Sequence, residues 1–250
     1  MGDNPPSAGV LVVTGGSRGI GAATARLAAS RGWSVLTTFR ERRGEADAVI
    51  AEIVAAGGRA ATMRADTSVE ADVLAVFDAA HGQFGPVTGL VNNAGIDGGP
   101  RALVDTPVAE LRRMLEVNVL GCFLCAQEAV RRMSTERGGS GGAIVNLGSV
   151  AARLGAPGER VHYAASKGAI ASFTTGLARE VIRSGIRVNC VSPGLTETEM
   201  NGPERLARLV PSVPIGRAAD PVEIARAILF LLSPESSFIV GDEITVSGGR

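Results

Sequence analysis

The sequence predicts an α/β fold: one doubly wound parallel sheet of about seven strands with helices on both faces. Three observations carry that expectation. Short apolar runs alternate with helical stretches along the whole chain, the pattern of parallel strands joined by helical crossovers. The first such run ends in a glycine-rich turn that opens a helix. No break in composition marks a domain boundary and no segment repeats, so residues 1–250 read as a single domain, with residues 1–8 expected to be flexible.

Each element has its own reason. Val10-Leu11-Val12-Val13 is a continuous apolar run, as in a strand buried on both faces. The turn Thr14-Gly15-Gly16-Ser17-Arg18-Gly19-Ile20-Gly21 follows, then a helix over 22–31 closed by Gly32. Trp33–Phe39 reads as the second strand, 42–56 as a helix ended by Gly57-Gly58, and Arg59–Arg64 as the third strand. A helix over 68–82 leads to a short fourth strand at 90–92. Residues 107–137 read as one long helix or two joined ones, and 138–142 as a glycine-rich loop. The fifth strand is expected at 143–147, a helix at 163–183 and the sixth strand at 186–191. Asp220 is the expected N-cap of a helix over 220–232, with Pro221 at its first position, where a missing N–H costs nothing. Glu243–Val246 is the final strand.

Composition narrows the function. Hydrophobic residues make up 45% and charged residues 20%, enough for a sizeable core. The formal net charge is zero, so nothing points to nucleic acid or an acidic membrane surface. No apolar run reaches transmembrane length, and the polar Pro/Gly-rich start does not resemble a signal peptide. A cytoplasmic location is the expectation. Cys122 and Cys125 form a C-x-x-C inside an expected helix rather than at its N-terminus, so packed thiols fit better than a redox pair. No metal-ligand pattern is present.

Two constellations carry chemistry. Strand, glycine turn and helix together suit a phosphate: glycines let the backbone approach a pyrophosphate, and the helix N-terminus offers free N–H groups. The second is Tyr163-x-x-x-Lys167. Tyr163 is the only tyrosine, and Lys167 the only lysine beside 24 arginines. Four residues apart on a helix, the two side chains lie on one face. A cation one turn away is expected to favour the ionised phenol, making the pair a proton donor and acceptor. An ordinary tyrosine beside a surface lysine is the alternative.

Further motifs complete a pattern. Asn92-Asn93-Ala94-Gly95 follows the fourth strand, Asn118 sits within 115–119, Ser149 closes the fifth strand, and Pro193-Gly194 follows the sixth. With the TGxxxGxG form of the turn, this order and spacing resembles the classical short-chain dehydrogenase/reductase family, members of the 3-oxoacyl-ACP reductase and glucose 1-dehydrogenase kind. The resemblance implies a single-domain Rossmann-type fold and a catalytic tetrad of Asn118, Ser149, Tyr163 and Lys167. It implies that Ser149 orients a carbonyl oxygen, Tyr163 moves the proton, Lys167 also holds the nicotinamide ribose, and Asn118 stabilises a helix break. Cofactor contacts implied are Gly15, Ser17, Arg18, Gly19, Ile20, Gly21, Arg40, Asp66, Thr67, Asn93, Ala94, Gly95, Tyr163, Lys167, Pro193, Gly194, Thr196 and Thr198. Gly148, where relatives often carry serine, is expected to open the site slightly, and one extra loop residue is expected between Gly155 and Arg160. His162 points to another helix face.

For the cofactor, Phe39 stands where an NAD-selecting acid would be, while Arg18 and Arg40 are placed to read a 2′-phosphate. NADP(H) is therefore favoured, with NAD(H) possible because Glu41 lies one residue on; solvated surface arginines are the alternative. The implied function is hydride transfer between nicotinamide and a small carbonyl or secondary alcohol. The alternatives are an NAD-dependent sugar or alcohol dehydrogenase and a non-catalytic dinucleotide-binding protein. Residues 201–213 read as a lid, the walls around Arg153, Glu159 and Arg160 are mixed in polarity, and the resemblance implies a homotetramer or dimer. No nucleic-acid or membrane partner is expected.

Overall fold

The computed structural model describes residues 8–250. The expectation of a flexible start concerns residues 1–7, which lie outside the described residues, and Ala8, whose backbone N–H donates to Gly32 O at 3.1 Å. Seven parallel strands form one sheet: β1 (Gly9–Val13), β2 (Trp33–Phe39), β3 (Arg59–Arg64), β4 (Val87–Asn92), β5 (Gly142–Leu147), β6 (Ile186–Pro193) and β7 (Glu243–Val246). Their order is β3-β2-β1-β4-β5-β6-β7. The chain runs outward from β1 to β3, then returns to place β4 on the other side of β1. That reversal leaves a crevice beyond the carboxyl ends of β1 and β4, where doubly wound sheets bind ligands.

The crossovers are α1 (Gly19–Ser30), α2 (Arg43–Ala55), α3 (Glu70–Phe84), α4 (Val108–Leu115), α5 (Gly121–Met133), α6 (Ala151–Leu154), α7 (Val161–Val181), α8 (Pro203–Leu209) and α9 (Pro221–Leu232). Strand residues point alternately to the two faces. Leu11 and Val13 join one buried cluster, with α1, α2 and α9; Val10 and Val12 join the other, with α3, α5 and α7. Both faces of the central strands are thereby dry, which explains their unbroken apolar runs.

The strands β2, β3 and β7 match their sequence-based bounds. Elsewhere tertiary context moves the ends. Helix α1 begins at Gly19 rather than residue 22, with that glycine at φ +53 where the turn enters the helix. Helix α3 lies two residues further along, and β4 starts at Val87. The long segment is two helices, α4 and α5, joined by a π-helical turn at Glu116–Leu120. The short α6 was not expected, and α8 occupies the segment read as a lid.

All three cysteines are free and buried. Burial pushes the Cys122 thiol up to about 12 and Cys190 to about 11, and raises Cys125 as well. They act as packed apolar groups, as their positions on the chain implied. At α9, Asp220 accepts from Val222 N at 2.8 Å and Glu223 accepts from Asp220 N at 2.9 Å, a reciprocal cap. Arg217 forks Glu223 at 2.6 and 2.8 Å, and that bond, with the Asp220 N–H, holds the Glu223 carboxyl down to about 2. Replacing the cap by Asp220→Ala is expected to cost about 1 kcal/mol. A urea titration should show a lower midpoint with an unchanged slope.

Candidate active site

The carboxyl end of β1 is stitched to the segment after β4. The Thr14 hydroxyl accepts from Asn93 N and Ala94 N, both at 3.0 Å, and Asn93 Nδ2 donates to Thr14 O at 2.8 Å and Gly15 O at 2.9 Å. Gly15 takes φ +69, and its N–H donates to Thr38 Oγ1 at 3.1 Å. Helix α1 then starts with no side-chain cap and no acid in its first turn. Its free N–H groups and positive dipole end face the turn.

These features border a groove of about 1050 Å³. Gly15, Ser17, Arg18, Gly19, Ile20, Arg40, Asp66, Thr67, Asn93, Ala94, Gly95 and Thr198 all line it. Gly21 does not, contrary to expectation. A Cβ there would fall 2.2 Å from Gly15 O and 2.6 Å from Asn93 Nδ2, so Gly21 backs the turn. The uncapped helix end, the missing acids and the glycine-tight turn fit a dinucleotide pyrophosphate.

Around the groove, charge is already paired. The Asp66 carboxylate accepts from Ser68 N at 3.0 Å, from the Ser68 hydroxyl at 2.6 Å and from Arg113. Burial opposes its ionisation, but those bonds hold it below the usual carboxylate range. Arg40 bonds Glu41 through Nε at 2.9 Å. Arg18 bonds Glu199, and Arg42 reaches Glu199 at 3.3 Å and Glu45 at 2.6 Å.

A second cavity of about 300 Å³ adjoins the groove and shares Ile20, Asn93, Gly95 and Thr198 with it. Ser149, Tyr163, Lys167, Pro193, Gly194 and Thr196 line it. Lys167 is only 6% exposed; its ammonium donates to Leu147 O at 2.7 Å and lies 5.8 Å from the Tyr163 ring centroid. The spacing of four residues on α7 thus does stack the pair. Ser149 Oγ accepts from Ala151 N at 3.1 Å, tying it to the start of α6.

Asn118 lines neither cavity. It sits in the π turn between α4 and α5, where its Oδ1 accepts from Ile96 N at 2.8 Å. Its Nδ2 donates to Ile96 O at 2.8 Å and Ser166 Oγ at 3.0 Å. A Cβ on Gly95 would sit 3.3 Å from Asn118 Oδ1 and 3.7 Å from Lys167 Nζ, so Asn118 stands behind Gly95 rather than in the cavity. Its amide pins the 92–96 segment to α7.

Gly148 also departs from expectation. It lines the cavity, but a Cβ there would lie 2.3 Å from Ser192 Oγ and 2.7 Å from Cys190 Sγ, so β6 leaves no room for a side chain at this position. The loop before α7 is strained, with Ala156 at φ +44 between Gly155 and Gly158 at φ +73 each. The mixed wall resolves into pairs. Buried Arg160 bonds Asp97 at 2.6 Å, burial lowers its pKa, and Glu159 takes both Arg205 and Arg208 from α8. Arg153 instead donates to Thr245 Oγ1 at 3.0 Å. His162 is buried against Gly98, off both cavities. Sequence reasoning missed Arg42, and it placed Asp97 and Glu199 only within the wall segments 97–101 and 195–213, with no role of their own. Their only signal was a charge near a strand end or beside the expected lid.

A family model described as enoyl-(acyl carrier protein) reductase matches residues 15–250. A solved short-chain dehydrogenase/reductase from Serratia marcescens BCRC 10948 superposes with a TM-score of 0.91, is 35% identical and is matched over 98% of both chains. The chain belongs to the short-chain dehydrogenase/reductase family. As a member it is an NAD(P)-dependent oxidoreductase acting on small molecules. It is 46% identical over 245 residues to the uncharacterized oxidoreductase YgfF of Escherichia coli (strain K12), 96% of this chain and 99% of that one. It is also similar to a blue fluorescent protein from a metagenomic library in complex with NADPH, at TM-score 0.89 and 34% identity over 97% and 98% of the two chains.

For this short-chain dehydrogenase/reductase, Gly21→Ala forces a methyl against the Gly15 carbonyl. Overpacking of that kind costs about 1–3 kcal/mol. Titration with NADH and NADPH should show both bound roughly tenfold or more weaker, with the circular dichroism of the fold retained.

Proposed function

We propose that the protein interconverts a small carbonyl compound and its secondary alcohol with NADP(H), using Tyr163 as general acid and base. One observation carries the reading: Tyr163, Lys167 and Ser149 line one cavity that runs into the dinucleotide groove through Asn93 and Gly95. The bound nicotinamide supplies or receives the hydride. Ser149 donates a hydrogen bond to the oxygen on which charge develops, from a hydroxyl fixed by Ala151 N. Tyr163 gives that oxygen its proton, and takes it back in the oxidation direction. Lys167, anchored on Leu147 O, keeps a positive charge beside the phenol and holds the nicotinamide ribose. Asn118 positions the 92–96 segment rather than touching substrate.

Thr196 and Thr198 hold the carboxamide and phosphate side of the cofactor, with Pro193 and Gly194 at the cavity wall. Arg18 and Arg40 read the 2′-phosphate, and Phe39, at the end of β2, offers no acid to a ribose hydroxyl. An NADPH-bound relative of similar fold supports this preference. Exposed Glu41 beside Arg40 favours the second reading, NAD(H) use by a sugar or secondary-alcohol dehydrogenase. A cavity near 300 Å³, walled by Val150, Leu154, Pro157, Leu195 and Leu209, suits a small and partly apolar substrate.

Val108, Leu115, Leu120 and Phe123 leave apolar surface on α4, the π turn and α5, which suits packing against a second copy in a dimer or tetramer. The single-domain reading of residues 1–250 accords with one continuous sheet. Three buried free thiols suit a reducing compartment such as the cytoplasm. No described helix is long and apolar enough to cross a membrane.

Tyr163→Phe keeps the ring and removes the proton. On a carbonyl substrate found by panel screening with NADPH, turnover should fall about 10²–10⁴-fold, while NADPH affinity stays within about twofold. A variant that keeps most of its rate overturns the proton-donor role. A wild-type protein that binds the cofactor but reduces nothing favours a non-catalytic role.

A further inference from the structure

Glu199 belongs to the segment that follows β6 and leads into α8, yet it lines the dinucleotide groove. There it bonds Arg18 of the glycine turn, 181 residues away, and Arg42 after β2, 157 residues away. The preceding residue lies close too: a Cβ on Gly19 would sit 3.2 Å from the Thr198 side-chain atom Cγ2, so the segment packs against the phosphate turn. Arg42 also holds Glu45, and Arg40 holds Glu41. Three arginines thus meet three carboxylates. Glu41 and Glu45 pair within their own stretch of chain. Glu199 alone bridges two arginines from different elements, as a bridging phosphate does.

The geometry points to Glu199 as a cofactor-specificity residue: held by Arg18 and Arg42, it competes for Arg18 with the 2′-phosphate that Arg18 and Arg40 would read. The inference rests on the 2′-phosphate reading of the groove. Its physical basis is simple. Two anions share one cation, Arg18, and a phosphate beside a retained carboxylate is repelled. A dinucleotide without the phosphate leaves the Glu199 bridge intact and the segment before α8 fastened to the turn. One with the phosphate must displace Glu199 and so unfastens that segment. Glu199 thereby lowers the affinity advantage of the phosphorylated cofactor and couples its binding to the cover of the catalytic cavity.

The test uses fragments that need no turnover. Binding of 2′,5′-ADP and 5′-AMP to the full-length protein is measured by calorimetry for wild type, Glu199→Gln and Glu204→Gln. Glu204 removes the same charge from the neighbouring helix α8, where it is exposed and bonds none of these arginines. Wild type should prefer 2′,5′-ADP. In Glu199→Gln that preference should grow by about threefold to tenfold, the size of one or two exposed ion pairs, with 5′-AMP changed less than about twofold. Glu204→Gln should match wild type. An unchanged or weakened 2′,5′-ADP affinity in Glu199→Gln, or an equal gain in Glu204→Gln, overturns the inference while the wild-type preference stands. No preference for 2′,5′-ADP in wild type overturns the 2′-phosphate reading itself, and the inference with it.

Discussion

The bond from Lys167 Nζ to Leu147 O is the contact on which the site depends. It places a nearly buried ammonium at the carboxyl end of β5, where a charge persists only with a close partner. Because Lys167 and Tyr163 share one face of α7, fixing the lysine fixes where the phenol ring stands relative to the sheet edge. Asn118 acts on the same helix from the other side. By holding Ile96 and Ser166 at once, it sets the spacing between the 92–96 segment and α7. The groove and the cavity meet at Gly95, where any side chain would press on Asn118.

The segment between β6 and α9 closes over this frame with charge at both ends. Glu199 reaches Arg18 and Arg42 beside the groove, and Arg205 and Arg208 reach Glu159 beside the cavity. A small apolar cluster of Leu195, Val213 and Ala218 holds its base. The Glu199 pairs are exposed, and exposed ion pairs are weak individually, which suits a cover that must open and close. Arg160 differs. It is buried, bonded to Asp97 and lines both cavities, so it fixes the wall between them.

Much of this was legible in the chain. Apolar runs located the central strands because both of their faces are dry; β2 and the two edge strands β3 and β7, neither edge strand holding a fully buried residue, matched to the residue. The cap at Asp220 was readable because capping is local. The glycine turn and the Tyr163–Lys167 spacing were readable because each lies within one turn of backbone. What escaped was set by partners distant in sequence. The π turn at Glu116–Leu120 centres on Asn118, whose amide is used by Ile96 and Ser166. The packing of Gly148 against Cys190 and Ser192 escaped because both come from β6. Glu199 meets arginines more than 150 residues away, beyond any local pattern.

The central claim is that position 167 requires a compact ammonium in a chain that elsewhere uses arginine. The most direct test is Lys167→Arg, which keeps the charge and changes its shape and reach. The account predicts a folded protein whose turnover falls by about a hundredfold or more, the worth of one buried charge-assisted hydrogen bond. A Lys167→Arg variant that keeps more than about a tenth of wild-type turnover, within one factor of ten or 1.4 kcal/mol, would contradict it.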